Sequence, residues 1–104
     1  MMRLEWTDPA VEDLQGIVDY IARDSSFYAD AVAERLVLAV ERLVSFPRSG
    51  RIVPEADDPT IREIIVQSYR VMYRVKQRKI QILAVLHGAR GLAGMTPKPW
   101  DAPE

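Results

Sequence analysis

The chain contains no cysteine and a single histidine, His87. The first absence excludes a disulfide framework and any thiolate metal site. No apolar run approaches the roughly 20 residues of a membrane-spanning helix, and the stretch from Met1 to Trp6 lacks the apolar segment of a signal peptide. No phosphate-cradling loop of the G-x-x-x-x-G-K type and no metal-ligand spacing occurs, so action without a cofactor or a metal ion is the expectation. A cytoplasmic address without membrane contact is the default. Acid is scarce in one half only. Residues 59–104 hold 3 acidic and 8 basic side chains, whereas residues 1–58 hold 12 acidic and 6 basic, an asymmetry hidden by the net charge of -1. Between Arg62 and Arg90, seven arginines and lysines (Arg62, Arg70, Arg74, Lys76, Arg78, Lys79, Arg90) face only Glu63. Such a cationic surface steers anionic partners, either nucleic acid or an acidic protein segment.

What is present suits one ordinary domain spanning residues 1–104, since the chain is 48% hydrophobic and 28% charged. Leu4, Glu5 and Trp6 form a short strand running into a helix that Asp8 caps, with Pro9 in its first turn. Leu14, Ile17, Val18 and Ile21 follow helical spacing, and after Asp24-Ser25-Ser26 a second series runs through Val32, Leu36, Val40 and Val44. These two helices form an αα-hairpin that Phe46 and Pro47 end. A loop follows, and the period then changes from 3.6 to 2. Thr60 to Val66, Arg70 to Lys76 and Lys79 to His87 read as three strands of an antiparallel meander. The last is apolar on both faces and so is central. After Arg90 the chain is an irregular tail, residues 91–104. The fold class is α+β, a helical hairpin on a small antiparallel sheet with an N-terminal strand.

Alternation assigns faces. Val71, Tyr73 and Val75 point to the helices, and Arg70, Met72, Arg74 and Lys76 point away, to solvent or to a partner. Either reading suits one arginine; the cluster, short of internal acids, favours a partner. His87 is either a general acid or base or a structural residue at a strand end. Arg90, just past that strand, has the planar fork that suits phosphate or carboxylate. Asp13, Asp19 and Glu41 read as the solvated face of the hairpin. Trp100 either folds back onto its own core or serves a partner.

The runs WTDPAVEDLQGIVDYIARDS, LVSFPRSGRIVPE, REIIVQSYRVMYRV and ILAVLHGAR, in this order, resemble the RelE/ParE superfamily of bacterial type II toxins, and most closely its ParE branch. The resemblance implies a helical hairpin on a small antiparallel sheet. It also implies a toxin held in a hetero-oligomer by a ParD-like antitoxin, touching operator DNA only through that antitoxin. ParE-like toxins act on DNA gyrase or another topoisomerase by binding, with no catalytic residue of their own. On that reading the partner surface comprises Arg62, Arg70, Met72, Arg74, Lys76, Arg90 and Trp100. RelE-like toxins instead cut messenger RNA on the ribosome, and that alternative rests here on Arg62, His87 and Arg90. The tail has no tyrosine and REIIVQS lacks the dense lysines of the RelE branch, so the nuclease set is incomplete. A third alternative is a non-toxic antitoxin-binding module that modulates operator repression.

Overall fold

The computed structural model describes residues 2–104. Its elements are β1 (Arg3–Trp6), α1 (Asp8–Ala22), α2 (Ser26–Arg42), β2 (Arg51–Ile52), β3 (Ile61–Val66), β4 (Tyr69–Val75) and β5 (Lys79–His87). Single 3-10 turns lie at Pro54–Ala56 and Pro99–Asp101. One sheet holds all five strands in the order β1-β5-β4-β3-β2. The meander of β3, β4 and β5 is antiparallel as expected, but β1 pairs with β5 in parallel, so the sheet is mixed. β5 is flanked on both sides, in keeping with its two apolar faces. The two-residue β2 falls inside the segment expected as loop, too short to show a period.

The helix ends show what local sequence can and cannot specify. α1 is capped by Thr7 and not, as expected, by Asp8: the Thr7 hydroxyl accepts from Ala10 N–H at 3.3 Å and donates to the Ile82 carbonyl at 2.8 Å. Asp8 instead occupies the first turn, where the helix dipole favours an anion. Ser25 caps α2 by accepting from Tyr28 N–H at 3.0 Å. α2 stops at Arg42, before Phe46 and Pro47, because the chain tightens into three-residue turns from Leu43 to Ser45.

Both helices cover one face of the sheet. Ala10, Val32, Leu36, Val40 and Leu43 pack there on Val71, Tyr73, Ile80, Ile82 and Val85. The Tyr73 hydroxyl, whose pKa burial pushes up, donates to the Pro47 carbonyl at 2.9 Å and accepts from Gly50 N–H at 3.0 Å. A Cβ on Gly50 would lie 2.5 Å from the Glu63 carbonyl oxygen and 2.6 Å from the Tyr73 hydroxyl, so only glycine lets the loop come this close.

Simple alternation along β5 is broken by a bulge. Met72 is opposite Ala84, but Tyr73 is opposite Ile82, so Leu83 is an extra residue. As a result Ala84 and Leu86 join Leu83 on the outer face, while Val85 joins Ile80 and Ile82 on the helix face. The outer face is itself covered. Leu92, Met95, Trp100 and Ala102 fold back onto Val53, Ile61, Met72, Leu83, Ala84 and Leu86.

Candidate functional site

Three surfaces carry the chemistry-bearing side chains, and the first is the cationic face of β4. Arg70, Met72 and Arg74 do share the outer face, yet this face is not open to solvent, as alternation alone implied. Met72 is fully buried, and Arg70 and Arg74 retain only 9% and 6% exposure. Their partners are internal. The buried Glu63 carboxylate binds Arg70 Nε at 2.6 Å and also pairs with Arg51, while Glu55 reaches Arg70 Nη2 at 3.2 Å. Burial opposes the Arg70 charge, but the hydrogen bonds and charges of Glu63 and Glu55 outweigh it and raise the pKa.

Arg74 donates to Gln81 Oε1 at 2.8 Å, to the Ala102 carbonyl at 3.2 Å and to the Trp100 carbonyl. Gln81 Nε2 takes the Pro103 carbonyl at 2.8 Å, and Lys76 pairs with Glu104. The expected shortage of internal partners is thus corrected. Backbone carbonyls of the tail, which no count of charged residues includes, meet the arginine. Trp100 folds back onto its own core, and the cations still reachable on this list are Arg62, Lys76 and Arg90.

The second surface is a cleft of about 550 Å3 where the end of β5 meets α1, lined by Glu12, Asp13, Gly16, Ile17, Tyr20, Tyr69, Val85, Leu86, His87 and Arg90. The β5 bulge turns His87 toward this side, and its ring lies edge-on to Tyr69 with centroids 5.7 Å apart. His87 Nδ1 accepts from Ala89 N–H at 3.2 Å, so the imidazole proton belongs on Nε2. Arg62 is elsewhere. It donates to the Gly50 carbonyl at 2.7 Å and the Arg48 carbonyl at 3.3 Å. It pairs with Tyr73, which pairs with Ile82, and from Ile82 to His87 the strand runs on the order of 15 Å. The structure therefore brings His87 and Arg90 together and keeps Arg62 apart.

Asp13 belongs to this cleft and was read from sequence only as solvated helix surface. Its Oδ2 accepts from Val85 N–H at 3.0 Å, a backbone group freed because β1 stops opposite Ile82. Burial raises its pKa above the ordinary 3.8, against the opposing pull of Val85 N–H and Arg90. A carboxyl raised on folding contributes stability below its ordinary value and loses that contribution as pH rises through the raised value. Asp13→Asn, which keeps an acceptor for Val85 and cannot ionise, should gain on the wild type as pH rises through that window. Urea unfolding at a series of pH values reads the gain; a stability difference independent of pH would show that burial exerts no hold on this carboxyl.

The third surface is a groove of about 480 Å3 between the end of α2 and β3, lined by Ala39, Arg42, Leu43, Phe46, Ser49, Ile64, Ile65 and Val66. β2 pairs only with Arg62 and Glu63, so among the described residues no strand lies on the edge of β3 away from β4 from Ile64 to Val66. Phe46 and Ile65 flank this edge with 61% and 58% of their surface exposed. An unpaired edge beside exposed apolar side chains is a template for an added strand.

Residues 4–92 match the model of the family described as the ParE toxin of the type II toxin-antitoxin system parDE. The chain belongs to the ParE toxin family. The match ends at Leu92, before most of the segment that covers the outer face of this ParE-family sheet. Toxin RelE2 of Caulobacter vibrioides is 34% identical over 91 residues, which span 86% of this chain and 99% of that protein. The solved structure titled Chromosomal ParDE TA system from P. aeruginosa superimposes with a TM-score of 0.70 at 29% identity, over 84% of this chain and 96% of its own. The fold is that of a RelE/ParE superfamily toxin, two helices on a five-stranded mixed sheet, and the protein is the toxin of a type II toxin-antitoxin system with an antitoxin as partner. Among the described residues no helix is long and apolar enough to cross a membrane, and no cluster of His, Cys, Asp or Glu could hold a metal ion.

Proposed function

We propose that this toxin acts in the cytoplasm by binding DNA gyrase or another topoisomerase, and that a ParD-like antitoxin neutralises it within a hetero-oligomer. The observation that carries the reading is the apolar groove beside the open edge of β3, a surface made for binding and free of titratable groups except Arg42. An extended antitoxin segment laid along Ile64 to Val66 gains main-chain hydrogen bonds, and its apolar side chains enter the groove against Phe46 and Leu43. Arg42 at the rim favours acidic residues on that segment. Arg62 supports the same reading, since its guanidinium is committed to the carbonyls of Arg48 and Gly50.

Phe46→Ala and Ile65→Asp should each weaken the antitoxin by roughly tenfold or more, the cost of losing a central apolar contact. Titration calorimetry with the antitoxin checks this, and unchanged affinity in both variants refutes the groove as its seat. The target is tested by assaying the purified toxin against gyrase supercoiling and, in parallel, ribosome-bound message. Inhibited supercoiling with intact message supports the binding reading. Cut message with normal supercoiling overturns it in favour of a RelE-type nuclease, for which the shared cleft of His87 and Arg90 is the site to pursue.

A further inference from the structure

We propose that the α1 ridge formed by Glu12, Gly16 and Tyr20, with the cleft it borders, is the docking surface for an amphipathic helix, basic along the flank that meets α1 and acidic along the other, of the protein that the toxin disables. This rests on the reading above that the toxin acts by binding a protein target. The first observation is Gly16. It lies inside the 15-residue α1, its φ is negative, and a Cβ built on it meets no atom within 4 Å. Glycine in a helix interior is less favourable than alanine, because it gives up more backbone freedom on folding. Gly50 is explained by its crowded surroundings; among the described residues no close contact explains Gly16.

The second observation is what flanks it. Glu12, Gly16 and Tyr20 are four residues apart and form one ridge along the helix, with Tyr20 70% exposed. The glycine is a notch between two long side chains. A second helix crossing there can approach to the short end of the 8–10 Å range of axial separations. Ile17, Tyr69 and Val85 then offer it an apolar floor.

The third observation is charge, which selects the partner. From Asp8 to Arg42 the hairpin carries 8 acidic and 3 basic side chains. Glu12 and Asp13 form the helix wall of the cleft, while Arg90 and His87 form the opposite wall. A phosphate backbone is repelled by the first wall. A helix with lysine or arginine on one flank and an acid on the other satisfies both. The surface is also distinct from the groove assigned to the antitoxin, which lies at the β3 edge.

The test separates stability from binding. Gly16→Ala should raise the thermal midpoint by several degrees, as removing a helix-interior glycine does in a chain of this size, and Gly16→Leu should fold as well. Both should lose potency against the target in the supercoiling assay by roughly tenfold or more, with antitoxin affinity unchanged within about twofold by calorimetry. Unchanged potency in both variants overturns the proposal. So does a parallel loss of antitoxin affinity, which makes the cleft the antitoxin's seat, or a lowered thermal midpoint in Gly16→Ala, which makes the glycine structural. Potency that falls steeply with salt and tracks binding to a bare oligonucleotide overturns it in favour of nucleic acid. A wild-type protein without effect on the target refutes the binding-poison reading itself; a potent wild type with equally potent variants refutes only this inference.

Discussion

Glu63→Ala is expected to destabilise the protein by about 3–5 kcal/mol, the range for removing one partner of a buried charge pair. Glu63 is 1% exposed and, among the described residues, is the carboxylate that forms ion pairs with both Arg51 and Arg70. Its removal leaves the Arg70 guanidinium in a largely apolar surround with only the more exposed Glu55 to answer it. The two arginines are not equivalent. The Arg51 side chain is 64% exposed, so Arg51→Ala should change stability by no more than about 1 kcal/mol, as for ordinary surface pairs. Chemical denaturation of the two variants side by side gives the comparison. Equal small effects would show that water reaches Glu63 in the folded state. Replacing Glu63 and Arg70 together by methionine should recover much of the loss, because the desolvation of both charges then disappears with their attraction.

Leu36→Ala carries the second largest expected effect, a loss of about 2–5 kcal/mol. Leu36 is 0% exposed, near the middle of α2, and packs in the cluster that joins the helices to Tyr73 and Ile82. The cost combines lost transfer free energy with the cavity that remains, and the flanking sheet gives this site little freedom to collapse. Two residues along, Leu38 is 51% exposed, and Leu38→Ala should stay within about 0.5 kcal/mol. Comparable losses at the two positions would show that α2 does not hold this orientation in solution.

The element types were legible because each rested on a strong local period: the helices on 3.6, the β3 to β5 meander on 2, and the interior place of β5 on its lack of a polar face. Parity along β4 was legible as well, since Arg70, Met72 and Arg74 do share the face opposite Tyr73. What covers that face was not. The tail has four prolines and glycines between Gly91 and Pro99 and no period at all, so nothing local announces that Trp100 and Ala102 present their carbonyls to Arg74. The bulge at Leu83 was equally hidden. It depends on a register with β4 that only the assembled sheet sets, and it moves His87 to the helix side, where Asp13 stands. Thr7 and Asp8 are both good capping types, and the choice between them was made by the Ile82 carbonyl, 75 residues away. Asp13 could have been suspected from its place one turn into α1 near a strand end, but its Val85 partner required the early stop of β1.

The parallel pairing of β1 with β5 has a temporal consequence. The first strand to leave the ribosome waits for the last, since Glu5 and Gln81 are 76 residues apart. At about 5–20 residues per second that interval is roughly 4–15 s. Until then the hairpin has no sheet to lie on, the Thr7 hydroxyl has no Ile82 carbonyl to donate to, and the cleft that joins α1 to His87 does not exist. A ribosome halfway through this message therefore carries an unfinished chain, and the toxin fold comes into being only after the codon for His87 has been read.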